Sequence, residues 1–362
     1  MSRNSARKAR HCCIIGLLWL FGCNGNDPET GPIQFTQTDG LLTDIPAVEL
    51  TAEKILQHPA ANETFNNARD IAYNKYDDKI YVVDSGNDRI VVFDTELSYI
   101  KQFGRYGQGP SEFNDPAGIA FYKDFIAVLD LRNFRIQIFD TIDGEYRYST
   151  EINTGTLEKD AFYRYSDIIV DSKGRIYVNM PDNSGLIHVL DRNGRTPETF
   201  GKIISSDDLT LFSHNSFLFT IDSGDNIYCA FLNHPVLRKY DKDRRLVFEV
   251  AYDNLPEADI IYQGWEAIMK RKDRQDGSYT YKTYTTFLSA DDKSIYVNLR
   301  TLNNEHTLYA FSRQTGNPEK KIALHYNDLR QFTLFDFQKK GTVYAYSPQL
   351  NIIALFHIAG TE

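Results

Sequence analysis

One short apolar segment, built on Ile-Tyr-Val, recurs through the chain and limits the possible folds more than any other feature. Ile80-Tyr81-Val82 returns as Ile126-Ala127-Val128, Ile176-Tyr177-Val178, Ile227-Tyr228-Cys229, Ile295-Tyr296-Val297 and Val343-Tyr344-Ala345, at intervals of 46, 50, 51, 68 and 48 residues. A period of this size marks a chain built from copies of one supersecondary unit. Around each copy a four-strand unit can be traced. In the first, strands are expected over Asp70 to Tyr73, Ile80 to Asp84, Arg89 to Phe93 and Tyr99 to Phe103. In the second they fall over Gly118 to Phe121, Ile126 to Asp130, Arg135 to Phe139 and Glu145 to Ile152. The connections are short and rich in Asp, Asn, Ser and Gly, as antiparallel hairpins permit and parallel crossovers do not. A content of 13 % aromatic residues suits half-buried pleated surfaces.

The turns repeat as well as the strands. Asp84-Ser85-Gly86-Asn87-Asp88-Arg89-Ile90 corresponds to Asp130-Leu131-Arg132-Asn133-Phe134-Arg135-Ile136, and the third strands end in Asp94, Asp140, Asp191 and Asp241. Such residues accept or donate bonds within turns, so their recurrence points to structure and away from one asymmetric catalytic centre. The stretches from Ile80 to Asp94 and from Phe103 to Ala120 resemble the NHL-type six-bladed propellers, and in particular the bacterial lipoproteins known as 6-bladed beta-propellers. The resemblance implies an all-β fold: a six-bladed β-propeller of four-stranded antiparallel blades. It also implies a choice of functions, because propellers of this kind bind proteins, carbohydrates or nucleic acids and related ones are enzymes; the motifs specify fold and not activity.

The sixth unit supplies only three strands, over Phe332 to Phe337, Thr342 to Ser347 and Asn351 to His357. The last blade is therefore expected to be closed by an amino-terminal strand, drawn from Ile33-Gln34-Phe35-Thr36 or Val48-Glu49-Leu50, which would remove an open sheet edge.

Residues 1–22 have the layout of a secretion signal: a basic segment ending at Arg10, an apolar run from Cys12 to Phe21, and Gly22. Leu20-Phe21-Gly22-Cys23 resembles the lipobox of bacterial lipoproteins, which implies a lipid attached at Cys23, a polar tether over residues 23–32, and a membrane-anchored place in the bacterial cell envelope. More than one acyl chain would make that anchoring stable. The propeller would then occupy residues 33–362 as one domain. Removing the four basic residues of the signal from 40 basic and 49 acidic residues leaves 36 against 49, a charge of −13. That charge repels a phosphate backbone, and nucleic acid is not an expected partner. Cys229 would be the only free thiol, in an apolar run that marks it as buried and inert.

Function is expected where the repeat breaks. The 68-residue interval leaves an insertion at about 253–281, holding Tyr262-Gln263-Gly264-Trp265-Glu266 and a charged run from Lys270 to Asp276. It is either a solvated hairpin or short helix, or a platform in which Tyr262, Trp265 and Glu266 meet a ligand or partner. The glycines between Gly104 and Gly118 lack any phosphate-binding pattern and are expected to shape a crossing between blades, with Phe113 and Pro116 packed at the interface. Polar residues that begin innermost strands, Asp70, Asp167 and His214 or Asn215, are expected near the central channel. There they would hold a divalent cation such as Ca, bind a polar ligand, or simply be hydrated and hydrogen-bonded. HExxH, GxSxG and CxxC are absent. The expected function is extracytoplasmic, lipid-anchored binding of an envelope protein or carbohydrate. A metal-dependent hydrolase or lyase at the channel mouth, and a structural subunit of an envelope assembly, are the alternatives.

Overall fold

Tyrosine parity explains how the repeat folds. In each blade the first and third residues of the repeated segment face the preceding blade and the middle one, Tyr in five of the six, faces the next. Ile80 and Val82 pack with Tyr344 and Ile353 of the sixth blade, while Tyr81 and Val83 pack with Ile119 and Val128 of the second. A strand covered on both faces reads as a continuous apolar run, which is what Ile80 to Val83 is. In a computed structural model, residues 41–59, 63–153, 167–182, 184–195, 198–204, 215–269, 283–300, 306–326 and 332–358 are described.

These residues form six antiparallel sheets in chain order. Blade one is β3 to β6 (Asp70–Asn74, Lys79–Asp84, Arg89–Asp94, Tyr99–Phe103), and blade two is β7 to β10 (Pro116–Tyr122, Phe125–Asp130, Arg135–Ile142, Glu145–Asn153). Blade three is β11 to β14 (Ile168–Val170, Ile176–Asp182, Gly185–Leu190, Glu198–Phe200), and blade four is β15 to β18 (Phe217–Ile221, Ile227–Phe231, Val236–Tyr240, Leu246–Ala251). Helix α1 (Pro256–Met269) follows. Blade five is β19 to β22 (Thr285–Ala290, Ser294–Arg300, His306–Ser312, Pro318–His325), and blade six is β23 to β25 (Leu334–Asp336, Thr342–Ser347, Ile352–His357). Six apolar clusters, one at each interface between successive blades, make up the core.

Closure comes from the amino-terminal side, as the strand count requires, but through a different segment. The fourth strand of blade six is β2 (Lys54–Leu56), antiparallel to β25 through Lys54↔Leu355 and Leu56↔Ile353. Val48 to Leu50 instead lie in β1 (Ala47–Thr51), which adds a parallel fifth strand to blade five through Ala47↔Lys321 to Thr51↔His325. The reason is the length of the crossing into the next blade. Leu56 precedes Asp70 by about the same stretch that separates Phe103 from Pro116, the crossing from blade one to blade two. The other proposed segment, residues 33–36, lies outside the described residues.

The repeated polar residues are consumed inside the blades. Asp84 accepts from Asn66 N–H at 2.7 Å, Asn87 Nδ2 at 2.9 Å and Arg89 Nε at 2.8 Å. Asp130 does the same with Asn114 N–H, Asn133 Nδ2 and Arg135 Nε, each at 2.8 Å, and both carboxylates are wholly buried. Asp94, Asp191 and Asp241 accept backbone N–H groups of the turn that follows each third strand. Asp140 departs from this because β9 runs on to Ile142; it accepts from Arg192 instead.

Candidate functional site

The innermost strand of a blade has one edge without a partner strand, and here side chains fill part of that deficit. Asp336 Oδ2 accepts the N–H of Tyr73 in β3 at 3.0 Å, and Asp70 Oδ2 accepts the N–H of Ile119 in β7 at 3.0 Å. Each carboxylate thus reaches from one innermost strand to the next. Asp167 accepts the N–H of Ile168, and its Oδ1 lies where a Cβ on Gly118 would stand 3.0 Å away. Gly118 is what lets the acid approach β7 so closely.

Burial disfavours the ionised form of all three acids. Desolvation pushes Asp167 up to about 7 and Asp336 up to about 6. Asp70 is raised well above the usual carboxylate range, first by desolvation and then by the charge of Asp167, with Asp336 adding to it. Asp70 and Asp167 lie close enough for the charge of Asp167 to act on Asp70. His214 lies outside the described residues. Asn215, buried, turns to Ile204, accepting its N–H at 2.7 Å and donating to its carbonyl at 2.9 Å. Among the described residues, no three metal-ligating side chains gather as a cation site would require. The acid group is instead suited to holding and releasing protons near neutrality.

Farther along the innermost strands lies a cavity of ≈ 250 Å³, lined by residues of all six blades including Tyr73, Phe121, Ile169, Ile221, Ala290 and Gln338. The acids around it are largely committed. Asp171 accepts the hydroxyl of Tyr177 at 2.9 Å, Asp222 that of Tyr228 at 2.7 Å and Asp291 that of Tyr296 at 2.8 Å. Asp77 and Tyr81 make the same bond at 2.6 Å in blade one. In these four blades the Tyr ring fills the interface and its hydroxyl locks the first hairpin turn, whereas Tyr344 of blade six donates to the Thr95 carbonyl at 2.9 Å. Further bonds stitch neighbouring turns together, Ser172 to Asp225 and Ser223 to Asp292.

The insertion contains helix α1. Glu257 and Asp259 lie in its first turn, where the helix dipole favours acids. Leu255, Ala258 and Ile261 bury one face in the interface of blades four and five. Glu257 accepts from the Tyr309 hydroxyl and from Lys321 Nζ, which pins the start of the helix to the third and fourth strands of blade five. Tyr262 is half-buried; burial pushes up the phenol of Tyr284, just before β19, and the charge of Tyr262 adds to that shift. Trp265 and Glu266 are in the helix, but their side chains, like residues 270–282, lie outside what is described. Within the insertion a helix stands over Pro256–Met269.

Two further expectations hold. Phe113 is wholly buried against Phe103 and Phe139, with Gly104 at φ +96° directly under its ring. Cys229 is buried, and desolvation pushes its thiol far up, so it is inert. The Tyr–Asp pairs were missed in the sequence reading, although each Asp precedes its Tyr by four to six residues.

A family described as "6-bladed beta-propeller" matches residues 69–340 of the chain. Solved structures of similar fold share little sequence. A Bacteroides fragilis protein described as exported is 12 % identical with a TM-score of 0.54, covering 88 % of this chain and 96 % of its own. A luciferin-regenerating enzyme is 10 % identical at 0.53, covering 85 % and 96 %. A streptogramin B lyase is 11 % identical at 0.50, covering 84 % and 97 %. At such identities the likeness concerns the fold alone. No curated protein matches the sequence.

Proposed function

The chain belongs to the 6-bladed beta-propeller family, and from that premise we propose that it is an extracytoplasmic, lipid-anchored binding propeller that recognises an envelope protein or a glycan. One observation carries the reading. The polar groups repeated from blade to blade are consumed by the fold, whereas α1 is an addition to it, seated on a rigid base and leaving Ile260 half exposed. Loops and insertions on rigid scaffolds are common recognition elements. Tyr262, Trp265 and Glu266 are the residues we assign to the contact. Lipidation of Cys23 is supported by the run Leu20 to Cys23 and by the polar residues after it.

Affinity capture from solubilised envelope tests recognition, comparing the intact protein with a Tyr262→Ala, Trp265→Ala double variant and with a deletion of residues 262–276. Loss of specific partners in both supports the reading. An unchanged partner set rejects it. Mass spectrometry of the mature amino terminus should find Cys23 as the first residue, acylated; an unmodified cysteine defeats the anchoring part.

A hydrolase or lyase in the channel is a second reading, favoured by the near-neutral titration of Asp167 and Asp336. Metal dependence would have to draw on groups beyond the described residues. Turnover that survives Asp167→Asn and Asp336→Asn together would remove it.

A further inference from the structure

In blade five the third and fourth strands part before they end. β21 and β22 pair from Phe311↔Pro318 to Leu308↔Ile322, and there the ladder stops, although β21 begins at His306 and β22 continues to His325. In blades one and two the corresponding pairs hold to the strand ends, at Ile90↔Phe103 and Arg135↔Asn153. Each parting strand has another neighbour. β21 keeps its ladder with β20 as far as Arg300↔His306, and β22 pairs with β1 through Ala323↔Glu49 and Leu324↔Leu50.

A cavity of ≈ 240 Å³ is lined by His306, Thr307 and Leu308 of one strand and by Ile322, Ala323 and Leu324 of the other. Three consecutive residues from each strand are what a gap within a sheet presents. A cavity on a sheet face would be lined by alternate residues, because side chains alternate between faces.

Asn298 of β20 also lines the gap and is wholly buried. Its Nδ2 donates to Thr286 Oγ1 at 2.9 Å and to His306 Nδ1 at 2.8 Å, while its Oδ1 has no partner among the described residues. A buried acceptor left in this state is destabilising unless something else donates to it. His306 accepts at Nδ1, so the neutral ring carries its proton on Nε2. Burial, assisted by the charge of Arg300, lowers His306 to about 4 and keeps the ring neutral. The gap thus offers one unmet acceptor and a second group whose outer nitrogen is a donor.

The charged residues around the gap are already paired, Lys321 with Glu257 at 3.3 Å and Glu49 with His325. Phe332, Phe335 and the aliphatic residues of both strands supply the rest of the wall. A neutral group with one donor, one acceptor and a small apolar attachment fits this lining. An amide has that composition. The volume falls just below the ~300–1,000 Å³ usual for small-molecule sites, so the ligand is small.

We propose that the gap between β21 and β22 binds a small, neutral, amide-bearing ligand, with the amide N–H donating to Asn298 Oδ1 and its carbonyl accepting from His306 Nε2. Two sources share this chemistry, a blocked peptide end and an acetamido sugar. The test uses the full-length protein and three probes, N-acetylalaninamide, N-acetylglucosamine and glucose. Saturation-transfer NMR reads binding, and ¹⁵N-histidine spectra read the Nε2–H of His306.

One or both amides should bind and shift the His306 signal, glucose should do neither, and the amide that binds identifies the source. His306→Phe and Asn298→Leu should each weaken binding roughly tenfold, the loss of about one buried hydrogen bond. Should Asn298→Leu fail to fold, His306→Phe and the wild-type histidine spectrum decide the matter. Binding no better than glucose, an unmoved His306 signal, or an experimental structure with only an ordered water on Asn298 Oδ1 overturns the proposal.

Discussion

Blades two and five are built from the same four-strand unit, yet they dispose of their polar groups in opposite ways. In blade two, Asp130 gathers Asn114, Asn133 and Arg135, with Gln137 Nε2 also donating to it at 3.1 Å, and the outer pair β9–β10 runs to its end. In blade five β21 and β22 separate, and Asn298 keeps an oxygen unmatched among the described residues. An extra strand and a helix adjoin the looser blade. The contrast teaches where to look for function in a repeat protein: a motif present in several copies is explained by the copies, and chemistry is left over where the unit is deformed.

The comparison can be broken most directly at Asp130. Asp130→Ala should cost roughly 3–5 kcal/mol in denaturant unfolding, because it takes the acceptor from Asn114, Asn133, Gln137 and the buried guanidinium of Arg135, which keeps Glu151 and the carbonyls of Gly109 and Glu112. A loss under 1 kcal/mol would mean that the clamp is not what holds blade two. Leu50→Ala comes next. Leu50 is buried between blades five and six, and its truncation should cost about 2 kcal/mol, the low end for a core leucine because β1 is an edge strand. An effect near zero would show that blade five does not depend on its fifth strand.

Tyr228→Phe removes a hydroxyl bonded to the Asp222 carboxylate and should cost roughly 1.5–2 kcal/mol with the ring packing intact. A dependence on pH follows from the acids of the innermost strands. Asp70, Asp167 and Asp336 hold protons more tightly in the folded protein than in the unfolded chain, so folding is favoured at low pH by these groups. Their contribution is lost as pH rises from about 4, the unfolded value, through about 6 and 7, the folded values of Asp336 and Asp167. The melting temperature should decline across that window, and Asp336→Asn with Asp167→Asn should flatten the decline. A slope unchanged in the double variant would remove these carboxylates as its source.

The strands of the first two blades were legible because burial on both faces leaves a continuous apolar run, and the hairpin turns on either side are rich in Asp, Asn and Gly. The structural role of Asn87, Arg89 and Asp84 was legible from repetition alone. The bond from Tyr to the turn acid was not, because the two residues meet only once the first and second strands are paired. The closing strand was mistaken for its neighbour because Val48 to Leu50 and Lys54 to Leu56 are both short and apolar enough. Only the length of the crossing into blade one separates them. The parting of β21 from β22 could not be read from residues 306–325, since it is accompanied by a ladder with β1, a segment at the other end of the chain. Asp70 and Asp167 drew notice because polar residues stood where an innermost strand should begin, whereas Asp336, at the end of its strand, gave no such sign.

The path of residues 42–70 has a mechanical consequence. Leu42 N–H donates to the Asn254 carbonyl, β1 then lies along blade five, β2 completes blade six, and the chain passes directly into the innermost strand of blade one. A pull on the amino-terminal side of this segment is therefore met in series, first by the extra strand and only afterwards by the strand that closes the ring. Blade five retains its four antiparallel strands if β1 peels away, so the first bonds to yield are ones the ring can spare. The segment acts as strain relief, giving up an added ladder before tension reaches the closure.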